Sequence, residues 1–186
     1  MTAPAFKTAP IIETQRTILR AHGLDDFDTY AEMWSEPAVC RFIGGRARTR
    51  EESWQRFLRH AGLWSLIGYG YWAVEDKATG RFIGEAGFQD MKREIQPSLE
   101  GLPEIGWVLD SAAHGKGIAS EIVGEMTAWA DNVLGAQRTV CIIDPENVAS
   151  LNVARKTAYN EVLRTTYHEK PTILLERPKA GGLNSV

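Results

Sequence analysis

Apolar positions along the chain switch between two periods. Residues 16–21, within IIETQRTILRAH, alternate and predict a first strand. From Leu24 the spacing becomes helical, with Leu24, Phe27, Tyr30, Ala31 and Trp34 on one stripe. Asp25 and Asp26 favour the start of that helix, and Pro37 is expected to end it. Trp54, Phe57, Leu58, Ala61 and Trp64 predict a second helix over 50–66. YGYWAVED (69–76), RFIGEAGFQDM (81–91) and PEIGWVLD (103–110) return to strand patterning, with a turn at 77–80. A long stripe of Ile118, Ala119, Ile122, Val123, Met126, Ala130 and Val133 predicts a helix over 117–134, closed by Gly135. RTVCIID (138–144) is nearly all apolar, as a strand buried on both faces would be. A short helix over 149–157 and strands at 161–169 and 172–178 complete the pattern.

The order β-α-α-β-β-β-α-β-α-β-β predicts mixed α/β layers, not a doubly wound sheet. The 186 residues suit one domain. It is expected over 12–177, with 1–11 a loose arm and 178–186 a flexible tail. A net charge of -3 argues against nucleic acid or an anionic membrane as a partner. No apolar run reaches the roughly 18 residues of a membrane span. MTAPAFKTAP lacks the apolar centre of a signal peptide, so a cytoplasmic location is expected. The two cysteines, Cys40 and Cys141, sit among apolar residues and read as buried thiols in a reducing compartment. The four histidines are scattered, and no metal site is expected.

Candidate chemistry begins at SAAHGKGIAS (111–120), between a strand and a long helix. A Walker A loop is excluded, because Asp110 and Gly117 stand where it needs a glycine and a Ser or Thr. The dinucleotide pattern G-x-G-x-x-G fails at Ser120. The pattern [Q/R]-x-x-G-x-[G/A] fits, read as His114-Gly115-Lys116-Gly117-Ile118-Ala119, with His in the first position. Small residues let backbone close round a pyrophosphate, and free N–H groups at a helix N-terminus point at the anion.

Together with its neighbours, this segment resembles the GNAT superfamily of N-acetyltransferases, in particular the Rim-type branch, over about residues 12–177. ETQRTILR is similar to that branch's opening strand, PEIGWVLD to its fourth strand, and AHGKGIASE to the loop that follows. NVASLNVARKTAY resembles its N-x-x-S-x-x-x-x-x-K-x-G-[FY] segment, with Ala158 in place of the glycine. The resemblance implies a GNAT-like fold: a central, mostly antiparallel mixed sheet splayed between the fourth and fifth strands, flanked by about four helices. It implies acetyl-CoA as cosubstrate and a primary-amine acceptor, either a small molecule or a protein N-terminus. The protein would act as a monomer or homodimer.

On that resemblance the pyrophosphate would rest on Gly115, Lys116, Gly117, Ile118, Ala119 and Ser120, beside His114. The pantetheine arm would pair with the backbone of Trp107, Val108 and Leu109, with a bulge expected at Gly106. Glu104 is the candidate base and Glu85 the second. The tyrosine acid of many relatives is replaced by Ala154. Ser150 then reads as a sulfur contact, acid or helix cap, and Asn147 as a pantetheine contact or cap. Trp34, Phe42, Trp64, Tyr69, Tyr71 and Trp72 are candidates for the acceptor side. Arg41, Arg46, Arg48 and Arg50 form either an anion-binding cluster or a solvated face. A non-catalytic acyl-CoA-binding module and a nucleotide-binding enzyme stand as alternatives.

Overall fold

The computed structural model describes residues 6–181. Eight strands form one sheet in the order β1-β2-β3-β4-β5-β6-β8-β7. They are β1 (Ile12–Glu13), β2 (Thr17–Arg20), β3 (Tyr71–Asp76), β4 (Phe82–Gln89), β5 (Glu104–Leu109), β6 (Arg138–Ile143), β7 (Asn160–Tyr167) and β8 (Lys170–Pro178). The helices are α1 (Phe27–Ser35), α2 (Pro37–Cys40), α3 (Arg50–Ile67), α4 (Ile118–Trp129) and α5 (Val148–Lys156). All strand pairs are antiparallel except β5 with β6.

Local chemistry sets these boundaries. Thr49 and Glu52 form a reciprocal capping box at the start of α3, and Gly68 ends it in a left-handed turn. Such a cap contributes about 1 kcal/mol. Pro37 does not merely end α1, as expected; it begins the one-turn α2. A proline lacks only a donor that a helix's first residue leaves unused. Gly135 closes a single π-helical turn, Ala130–Leu134, that extends α4.

The strand period splits the core into layers. Trp72, Val74, Phe88 and Ile105 pack with Ile122 and Met126 of α4. Ala73 and Val108 pack on the other face with Tyr30 and Trp34 of α1 and Phe57 of α3. Tyr71, Gly106 and Glu104 belong by alternation to this second face, which positions the site.

Both expected loose ends make tertiary contacts where the structure describes them. Phe6 packs on Trp64 and Trp129, and Pro10 accepts a 2.7 Å hydrogen bond from Trp72 Nε1. Ala9 is buried, and the domain then opens with the strand Ile12–Glu13. At the other end, the backbone N–H of Lys179 bonds Gln137 O, and that of Ala180 bonds the buried Asp131. Aromatic anchors and one buried carboxylate are tertiary partners that local composition does not show. Residues 1–5 and 182–186 of the predicted arm and tail lie outside the described residues.

Candidate active site

Beyond one register pair, Glu104 with Val140, β5 and β6 part. A cleft of about 520 Å³ opens along them, reached by α3, the loop after α2 and the β7–β8 turn. Asp110 N–H bonds back to β4 at Ile83 O, whereas Pro103 O accepts from β6 at Val140. Successive residues of a strand face opposite neighbours. Trp107 and Leu109 therefore turn their peptide groups to the gap, and Val108 turns its own to β4. A Cβ on Gly84 would stand 2.3 Å from Val108 O, which shows the same orientation. The expected backbone contact at Val108 is thus corrected: of the three residues, only Trp107 and Leu109 offer main chain to the gap.

No bulge occurs at Gly106, another correction, since β4–β5 pairing runs unbroken from Gly84–Leu109 to Gln89–Glu104. The glycine serves a different need. A Cβ there would lie 2.2 Å from the Tyr71 hydroxyl, so the absent side chain lets that phenol lie over β5. Tyr71 is 4% exposed and lines the cleft, and its hydroxyl has no hydrogen-bond partner among the described residues. Burial, ahead of the opposing pull of Arg56, pushes its pKa far above the usual tyrosine value. The hydroxyl stays protonated and can donate.

The glycine loop follows β5. Asp110 caps the turn Ser111–Ala113. Gly115 and Gly117 take φ of 73° and 76°, where a side chain is strained. The N–H groups of Gly115, Lys116, Gly117, Ile118, Ala119 and Ser120 meet no acceptor among the described residues. Arg16 braces this loop from outside, donating to Lys116 O and pairing with Glu121 at 2.7 Å each. Lys116 is exposed. The His114 ring turns away from the loop to Leu109 O, at 3.0 Å. It thereby occupies the carbonyl at the far end of the gap.

Glu104 is buried against the cleft and held by Arg93 through bonds of 2.6 and 2.7 Å, and by Gln89 at 2.9 Å. Glu85 is fully buried and does not line the cleft. It accepts from Arg56 at 3.0 Å and touches His60 Nε2 at 2.6 Å. Burial opposes its ionisation, yet the nearby His60 and Arg56 prevail and hold its pKa well below the carboxylate range. His22 stacks on His60 at 4.4 Å, so two of the histidines that look scattered in sequence meet at one carboxylate. Their rings lie within 10° of parallel, so the two Nε2 lone pairs lie in separate, near-parallel planes. The 2.6 Å contact is also shorter than the spacing of two ligands on one metal.

Asn147, not Ser150, caps α5: its Oδ1 accepts from Ser150 N–H at 3.1 Å. Ser150 Oγ makes no hydrogen bond among the described residues, and the residue lines the cleft. Of the aromatic candidates, Trp34, Trp64 and Trp72 are core, Tyr69 is packed against the core edge, and Phe42 and Tyr71 line the cleft. The arginine cluster divides. Arg46 pairs with Glu52, and Arg50 with Asp28, both at the surface. Arg41 and Arg48 turn to the cleft, where Arg56, Arg59 and Arg93 join them. Those three were missed in sequence. Arg56 and Arg59 lie three residues apart on the predicted α3, a spacing that marks one helix face.

Residues 16–160 match the family described as acetyltransferase (GNAT) domain. The uncharacterized N-acetyltransferase p20 of Bacillus licheniformis is 27% identical over 149 residues, 80% of this chain and 81% of its own. A GnaT-family acetyltransferase from Bordetella pertussis superposes with a TM-score of 0.80 at 28% identity, over 91% of this chain and 99% of its own. Spermidine N-acetyltransferase from Vibrio cholerae, solved with CoA and spermine, shares the fold at a TM-score of 0.70 and 13% identity, over 90% and 98% of the two chains.

Proposed function

The chain belongs to the GNAT acetyltransferase family, and from that premise we infer that it passes an acetyl group from acetyl-CoA directly to a primary amine in a ternary complex. The opening strand and the Asn147–Tyr159 segment favour the Rim-type branch. One observation carries the reading most: the parted β5–β6 edge leaves the Trp107 and Leu109 peptides facing a gap, and the chain runs on from that edge into the unpaired N–H groups of the Gly115–Ser120 loop. A pantetheine arm would pair along the first, and its pyrophosphate would rest on the second. Cofactor contact is assigned to these residues and to the Asn147–Ser150 turn; His114 acts by occupying Leu109 O.

Chemistry is placed at Gly106, midway along this edge. Glu104, two residues away on the same face and paired with Arg93, accepts the amine proton through water. The Tyr71 hydroxyl donates to the thioester oxygen or the departing sulfur from above Gly106, and Ser150 approaches from α5. Between them these hydroxyls take the place of a tyrosine at 154.

Calorimetric titration tests the reading. Acetyl-CoA is expected to bind where ATP and NAD do not, and Gly117→Val, which crowds the loop, is expected to weaken it by about tenfold or more. Equal binding of ATP, or an unaffected variant, would remove the loop from the site.

A further inference from the structure

We propose that the acceptor is an amine that also carries a carboxylate, seated on Arg48 and Arg59. The proposal rests on the acetyl-transfer reading and names its substrate class.

The cleft is lined by far more cations than anions. Two of them are already matched, Arg93 by Glu104 and Arg56 by the buried Glu85. Arg48 and Arg59 are not: neither makes an ion pair among the described residues. Each has a buried Nε without a hydrogen-bond partner. Arg48 lies over the Trp34 ring at 5.1 Å, with Arg56 also over that ring at 4.2 Å. Arg59 is half-buried, and burial, then the neighbouring Arg56, pull its pKa below the usual arginine value. A partly desolvated cation beside another cation is costly unless an anion joins it. Planar guanidiniums match a carboxylate in two-point geometry.

Position gives this anion seat a role. Arg48 and Arg59 share the cleft with Tyr71, Gly106 and Glu104. The free N–H groups that would hold the cofactor's pyrophosphate lie outside that lining. Lys170 adds charge at the mouth: its Nζ would be 3.2 Å from a Cβ on Gly45, so the β7–β8 turn and the loop after α2 meet there. A carboxylate held at this wall leaves a nearby amine free to face Gly106. A polyamine would meet like charge instead.

The test compares matched amines at saturating acetyl-CoA. Tripeptides that begin with Asp or Glu, and free amino acids, are expected to exceed their Asn, Gln or amidated counterparts in kcat/KM by about tenfold or more, with spermidine poorest. Arg59→Gln and Arg48→Gln should raise KM for the acidic amines and leave the acetyl-CoA Kd unchanged, while Arg59→Lys restores part of the preference. Equal turnover of amidated amines or spermidine overturns the proposal. So does a loss of acetyl-CoA affinity in the variants, which would assign these cations to the cofactor. If acetyl-CoA binds and no amine of the panel reacts, glutarate titrated into that complex decides. Binding that Arg59→Gln abolishes supports the seat, and no binding overturns it. Failure to bind acetyl-CoA would bring down the acetyl-transfer reading alone, and glutarate on the free protein would still decide the seat.

Discussion

Ala158 occupies a conformation that glycine adopts without cost, with φ of 66°. Left-handed backbone costs an alanine about 1 kcal/mol. Ala158→Gly should therefore stabilise the fold by about that much, read as a higher urea midpoint at unchanged slope. The turn itself keeps its form: Tyr159 N–H bonds Ala154 O, and the Tyr159 hydroxyl bonds Thr139 at 2.6 Å. Tyr71 gives the sharper functional test. Tyr71→Phe should leave acetyl-CoA affinity intact and lower kcat by about a hundredfold, the scale of one proton-transfer contact. An unchanged kcat would reduce Tyr71 to packing. At this scale the sequence was only partly legible. The glycine loop and Glu104 were visible as residues with a motif round them. Tyr71 was one aromatic among many, because its importance lies in a bare Gly106 on a strand two places away. The cap of α5, left open between Ser150 and Asn147, falls to Asn147, because capping depends on which residue leaves the helix, and spacing fixes that only to within a turn.

At the scale of elements, α3 carries Arg56, Arg59 and His60 to the sheet, and β2 ends near His22. Burial, then the adjacent His60, push the His22 pKa from 6.5 down to about 3. An unfolded chain takes up this proton below about 6.5, and the folded protein only near 3. Between those values the unfolded state binds more protons, so stability falls as pH falls, by up to about 1.4 kcal/mol per unit. Glu85 acts in the same direction below its ordinary value of 4.5, since its folded pKa is depressed. Urea unfolding across pH 4 to 7 should show this slope, and His22→Gln should flatten its upper part. A flat wild-type profile would mean that the cluster admits water. Periodicity revealed α1, α3, α4 and α5 nearly to their ends. It could not show that two histidines 38 positions apart stack, since one lies beyond a strand and the other within a helix.

For the whole molecule, the order of elements was legible in the sequence, and the parted sheet followed from family resemblance alone. Nothing in PEIGWVLD or RTVCIID records how far two strands run before they diverge. The packing of residues 6–11 was equally hidden, for its partners Trp64, Trp72 and Trp129 come from three separate elements. The single register pair between β5 and β6 has a kinetic consequence. Amide hydrogens at Trp107 and Leu109 have no strand to shelter them, so in heavy water they should exchange quickly while those of Val108 and Gly106 persist. Adding acetyl-CoA should slow the first pair toward the second and leave the outer strands β1 and β7 unchanged. The isotope pattern would then show the cofactor completing the sheet as a temporary strand, and the empty protein would be two half-sheets joined chiefly at Glu104.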